Sequence, residues 1–201
     1  MNLHKKFKKI LSITHMERYL IHIKNEKYVP VNSRDILHQT RDLISGMDAH
    51  VRLARVATSF IEFDVAIETK DVQTLVKKLS PIGGLDNIRH VVEEEIEIDQ
   101  GIKDGIFYFN AERFWECHEA FEGVWKQCFG REKELVQGII LVAVAYAHAQ
   151  ENELSIGVAM LTRALQKLGT SPSMYHSIDV ERIRKKSIEM QKINDLVLFE
   201  I

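Results

Sequence analysis

Residues 60–67 read FIEFDVAI, with Ile61, Phe63, Val65 and Ile67 on one side of the chain and Glu62 and Asp64 on the other. Alternation at period two is the mark of a strand with one covered face. Just before it, VRLARV (51–56) can pair with it as a hairpin across Ala57, Thr58 and Ser59. Further out, RYLIHIK (18–24) alternates in the same way, setting Tyr19, Ile21 and Ile23 against Arg18, His22 and Lys24. Between these strands Ile36, Leu37, Thr40, Leu43 and Ile44 recur at helical spacing, with Ser33 placed as N-cap. After the hairpin, Val72, Leu75, Val76 and Leu79 mark a short helix that stops at Pro81. Gly83-Gly84 then turns the chain into a last strand near Ile88 to Val92. Strand, helix, strand, strand, helix, strand is the ferredoxin-like split βαβ order, with both helices on one face of a four-stranded sheet. The opposite face would present Phe60, Glu62, Asp64 and Ala66, and its carboxylates repel phosphate where an RNA-recognition sheet needs stacked aromatics. Leu20, Val56 and Phe60 on that face predict an apolar cover, either the rest of the chain or a second subunit.

From Glu93 onward the period changes to that of helices. Ile98, Ile102, Ile106 and Phe109 form a stripe, and the acidic run EEEIEID (93–99) reads as the first turn of that helix. Asn110 is placed to cap a second helix through about Lys126, and Gly130 to end the connection after it. Residues 133–150 are apolar nearly all round, as a central buried helix would be. Ile156 to Leu168 make a fourth helix, closed by Gly169 and Pro172, and Asp179 caps a fifth to about Lys192. The fold class is therefore α+β: a ferredoxin-like domain over 1–92 with a basic N-terminal arm, then an all-α helical bundle over 93–201.

The 201 residues carry 45% hydrophobic and 28% charged side chains and a formal net charge of −2. That balance gives no global attraction to nucleic acid or to an anionic membrane. The lysines Lys5, Lys6, Lys8 and Lys9, and the group Arg182, Arg184, Lys185 and Lys186, read as solvated helix faces. Cys117 and Cys128 are too far apart along one helix for a disulfide and read as reduced thiols. The first 20 residues lack an apolar signal core with a cleavage site, and the longest apolar run, at 138–147, is too short to span a membrane. A cytoplasmic protein is expected.

The chemistry concentrates in FWECHEAFEGVW (114–125). On a helix with about 100° per residue, Phe121, Phe114 and Trp125 fall within about 60° of His118 on one flank, and Glu122 and Trp115 on the other. This places His118 at the middle of the buried face with Glu122 beside it, and moves Glu119, Glu112 and Glu116 toward the polar side. On the central helix Gln137 and His148, three turns apart, share a stripe with Leu141 and Val144, and Asn152 follows His148 by one turn. If the two helices pack together, His118, Glu122, His148 and Gln137 converge.

FNAERFWECHEAFEGVW (109–125), VQGIILVAVAYAHAQEN (136–152) and GVAMLTRALQKL (157–168) resemble the domain of unknown function 309 family, over about residues 94–190. The resemblance implies a helical bundle and a motif that falls on Asn110, Glu116, His118, Glu119, Glu122, Trp125, Gln137, Gly138, His148 and Asn152. It departs where Glu151 precedes Asn152 and where Gly157-Val158-Ala159 opens the next helix. It implies no activity.

Three readings of the cluster follow. The first is a binding module for a small molecule or protein partner, using Glu116, His118, Glu119, Glu122, Trp125, Gln137 and His148, with no cofactor. In the second, His118, Glu122 and His148 ligate a zinc ion in a hydrolase, since His118 to Glu122 has HExxH spacing with a carboxylate as the second ligand. In the third, the cluster is a satisfied polar core. A homo-oligomer is compatible with each, and whether the chain is an enzyme stays open.

Overall fold

Four strands, β1 (Glu17–Lys24), β2 (Ala49–Val56), β3 (Phe60–Ile67) and β4 (Leu85–Val91), form one antiparallel sheet in the order β2-β3-β1-β4. The computed structural model describes residues 16–92, 96–170 and 173–201. The chain divides into two compact units, Met1–Glu93 and Glu94–Ile201. The expected N-terminal basic arm, the start of the acidic run and Pro172 lie outside the described residues.

In the first unit, helices α1 (Ser33–Leu43) and α2 (Val72–Leu79) give the sheet its split βαβ order. Tyr19, Ile21 and Ile23 of β1 and Ile61, Phe63, Val65 and Ile67 of β3 form one core with Ile36, Leu75 and Leu79 of these helices. Asn32, not Ser33, stands at the N-cap of α1, because Pro30–Asn32 forms a 3₁₀ turn that feeds directly into the helix. Val56 is a second correction. It lies opposite Ile61 in the hairpin, and residues directly opposite share a face, so it joins the helix-side core and not the Phe60 face. A register shift between Val51 and Leu53 returns Val51 to that same core. On the other face Leu20 and Phe60 are buried, as are His22, Arg55, Glu62 and Asp64.

Among the described residues of the second unit, the regular elements are helices apart from the two-residue strands β5 (Met174–Tyr175) and β6 (Ile178–Asp179). Its helices are α3 (Ile98–Asn110), α4 (Phe114–Gln127), α5 (Gly130–Gln150), α6 (Leu154–Leu168) and α7 (Val180–Ile193), each packed on the next. Of the acidic run, Ile98 and Asp99 open α3, Glu97 is its N-cap and Ile96 precedes the cap, while residues 93–95 lie outside the described residues. Asn110 ends α3 and its side-chain oxygen accepts the Ile201 N–H, while Arg113 takes the N-cap of α4. Gly130 opens α5 with φ +55°, a conformation that suits a residue without a side chain. The Asp179 carboxylate caps α7 by accepting the Arg182 N–H at 2.9 Å.

Two close approaches decide which helix faces are buried. Gly105 of α3 sits against the ring of Phe121, where any Cβ would collide with it. Gly157 of α6 sits on the backbone of α5, where a Cβ would stand 2.5 Å from the Ala145 carbonyl oxygen. Phe109, Phe114 and Tyr146 fill the centre of the unit, with Phe114 stacked on Tyr146 at 4.6 Å. The Tyr146 hydroxyl donates to the Val197 carbonyl at 2.6 Å, which ties the C-terminal segment to α5.

Candidate functional site

Helix α4 buries Phe114, Glu116, Cys117, Ala120, Phe121 and Val124. The centre of that set is Cys117, about 100° round the helix from the position expected for the buried face. The shift follows from the approach of α3: Gly101 faces Val124 and Gly105 faces Phe121, so the small and flat residues turn inward and the two tryptophans move to the edge. His118, Glu119, Glu122, Trp115 and Trp125 therefore form a half-buried flank.

Within that flank the groups are ordered by contact. The His118 ring stacks on Trp115 with centroids 4.7 Å apart. The Trp115 indole N–H donates to the Glu119 carboxylate at 2.9 Å, one helical turn away. His118 Nε2 lies 3.9 Å from Glu122, whose side chain is 42% exposed, while the imidazole is 20% exposed. Two ammonium groups of the chain touch the same strip: Lys126 Nζ is 3.7 Å from Glu122, and Lys133 Nζ lies 4.0 Å from the Trp125 ring centroid. The Trp125 indole N–H is buried with no hydrogen-bond acceptor among the described residues. On α5, Gln137, Leu141, Val144 and His148 are each half-buried, at the edge of a helix otherwise sunk in the core.

Glu116 departs most from the sequence expectation. It is fully buried, and the Arg113 guanidinium donates to both of its oxygens across the first turn of α4. A bidentate pair of this kind lets a carboxylate leave water. Arg113 also lies 4.8 Å from the Tyr108 ring centroid, which fixes its planar head. Nothing in the hydropathy of Arg113 marks it, but its i, i+3 spacing to Glu116 is a signal the sequence does carry.

His118, Glu122 and His148, expected to converge, do not make up one of the sets of metal-ligating atoms that lie within 4.8 Å of one another in the described residues. His148 Nδ1 donates to the Glu153 carboxylate at 2.7 Å, beyond the end of α5. Among the described residues, the metal-ligating atoms that gather with those of His148 within 4.8 Å of one another are carboxylate oxygens of Glu151 and Glu153, and His118 and Glu122 are not in that set. The helix end sets the His148–Glu153 contact. Asn152 adopts φ 64°, the Glu153 N–H donates to the His148 carbonyl at 2.9 Å and the Asn152 N–H to that of Ala149 at 3.0 Å. This is a Schellman turn, and it folds Glu153 back over His148. Gln150 anchors the turn to the start of α4 by donating to the Glu112 carbonyl at 2.9 Å.

Cys117 and Cys128 are free, buried thiols, and burial pushes the Cys117 thiol far above its ordinary range, so neither the pair nor Cys117 alone is set up as a nucleophile. No helix among the described residues is long and apolar enough to cross a membrane.

The family model for the domain of unknown function (DUF309) matches residues 102–160, from within α3 to the first half of α6, and so includes the strip and the Schellman turn. A search of curated proteins finds no match. Among solved structures, a conserved hypothetical protein from Thermus thermophilus is similar at 24% identity and a TM-score of 0.41, over 45% of this chain and 95% of that one.

Proposed function

We propose that the chain is a binding protein and that the α4 flank of Trp115, His118, Glu119 and Glu122 is its binding face, with a basic segment of a partner protein as ligand. The observation that carries this reading is the flank's own handling of cations: Lys126 reaches Glu122 and Lys133 lies on Trp125. Carboxylates beside half-exposed aromatic rings hold ammonium and guanidinium groups through charge and through the ring face together. The stack of His118 on Trp115 and the indole bond to Glu119 hold these groups in place before a ligand arrives, which lowers the ordering cost of binding.

The test is a titration of the full chain with an acetylated Lys-Arg-Lys-Arg peptide, followed by tryptophan fluorescence and by amide chemical shifts. Saturable binding with shifts centred on residues 115–125, weakened about tenfold in Glu119→Gln/Glu122→Gln, supports the reading; two lost exposed ion pairs to a cation are of that order. Shifts spread evenly over the acidic surface, or an affinity unchanged in the double variant, overturn it.

A further inference from the structure

Beyond the α4 flank, the turn between α5 and α6 gathers three metal-ligating groups. His148 stands in the last turn of α5, Glu151 is its C-cap residue and Glu153 is the N-cap residue of α6. One imidazole nitrogen and one oxygen from each carboxylate lie within 4.8 Å of one another. Three atoms so spaced are at most about 2.8 Å from their common centre, so shifts of under about 1 Å bring them to the 2.0–2.2 Å of a bound zinc ion. Backbone hydrogen bonds of the Schellman turn fix the three Cα positions, which leaves only side-chain torsions to adjust. Glu153 occupies an N-cap position without using its side chain as a cap, and that carboxylate is turned to His148 instead. The site also lies at the carbonyl end of a 21-residue helix, where the backbone favours positive charge.

We propose that His148, Glu151 and Glu153 form a binding site for a first-row divalent cation, with Zn²⁺ as the fitting ion. One imidazole and two carboxylates match the borderline character of that ion better than that of Mg²⁺ or Ca²⁺, which favour oxygen alone. The ion takes the lone pair of His148 Nδ1 in the neutral tautomer that carries its proton on Nε2. The proton moves from Nδ1 to Nε2 through water, and the Nδ1 to Glu153 hydrogen bond becomes a bridge through the metal. Three protein ligands leave a fourth position for water, and the side chains are partly open to solvent, 30% for His148 and 42% for Glu153.

Isothermal titration of the metal-free full chain with Zn²⁺ alone, and Co²⁺ absorption in the visible as a spectroscopic check, decide it. The expected result is one saturable equivalent, with affinity lowered at least tenfold in His148→Ala and in Glu153→Gln. His38→Ala, at an exposed position on α1, serves as the control for surface histidines and retains the site. Circular dichroism of each variant identifies any that fails to fold, and the Gln substitution preserves side-chain volume. Absence of a saturable equivalent in the wild type overturns the proposal, as does equal affinity in folded His148→Ala and Glu153→Gln. Peptide binding at the α4 flank is a separate readout, so either reading can fail alone.

Discussion

Glu116 and Glu122 stand on one helix in opposite surroundings, and the difference sets what each is worth. Glu116 is fully buried and held by Arg113, whereas Glu122 is 42% exposed and 3.9 Å from its imidazole neighbour. Removing one partner of a buried ion pair strands the other and costs about 3–5 kcal/mol, while an exposed pair contributes about 0–1 kcal/mol. Glu116→Ala is therefore expected to lower the unfolding free energy from urea curves sharply, and Glu122→Ala to leave it within about 0.5 kcal/mol of wild type. Equal losses in the two denaturation curves would contradict this assignment. The sequence alone ranks the two glutamates the other way round. It makes the neighbourhood of His118, Glu119 and Glu122 legible, since i, i+3 and i+4 spacing is local, but not which side of α4 faces inward. That depends on glycines at 101 and 105, more than ten residues upstream, admitting Val124 and Phe121. Large aromatics draw attention as core markers, yet Trp115 and Trp125 lie at the edge because the close helix approach selects small and flat side chains.

At the scale of the strand, β3 carries its charge in cross-strand pairs. Glu62 lies opposite His22 on β1 and opposite Arg55 on β2, and its carboxylate is 3.2 Å from His22 Nε2 and 2.5 Å from the Arg55 guanidinium. Asp64 is paired with Arg18 at 2.8 Å and Arg52 at 3.1 Å. The period-two reading of 60–67 finds the strand and its apolar face, because alternation is a property of the segment itself. It does not find the cations, which arrive through register with β1 and β2. Burial pushes the Glu62 carboxyl up, but the His22 hydrogen bond and the Arg55 charge outweigh it and hold the group below its ordinary value. A carboxylate whose folded pKa is depressed contributes stability that is present above its unfolded pKa and is lost as pH falls through the folded value. Stability is thus expected to drop below about pH 4.5. The drop should be shallower in Glu62→Gln, whose amide does not titrate. Urea midpoints measured between about pH 6 and pH 3 test this, and parallel curves for the two proteins would assign the acid loss to other groups.

For the whole molecule, each unit has its own hydrophobic core: Ile21, Phe63 and Leu75 belong to one, and Phe114, Phe121 and Tyr146 to the other. The change of period near residue 93 makes this division visible in the sequence, because a sheet and a helical unit bury their apolar residues at incompatible spacings. The helical unit also closes on itself through contacts remote in sequence, from Tyr146 to the Val197 carbonyl and from Asn110 to the Ile201 N–H. A domain of about 100 residues with a continuous core of this kind has enough buried surface to fold independently. A fragment from Ile96 to Ile201 is accordingly expected to keep a helical far-ultraviolet spectrum and to melt in one cooperative step. Shortening it to end at Asn194 removes Val197, Phe199 and Ile201, including the carbonyl that accepts from the Tyr146 hydroxyl at 2.6 Å. That hydroxyl is buried, and burial pushes its pKa well above the ordinary tyrosine range. The hydroxyl then falls back on the weaker Met190 thioether acceptor at 3.1 Å. Exchanging a carbonyl for it costs up to about 1 kcal/mol, to which loss of the apolar side chains adds. A melting temperature several degrees lower in the shorter fragment is the expected outcome. Identical melts would mean that the C-terminal segment contributes nothing to the unit's stability, and a broad, non-cooperative melt of the longer fragment would mean that its core needs the first unit.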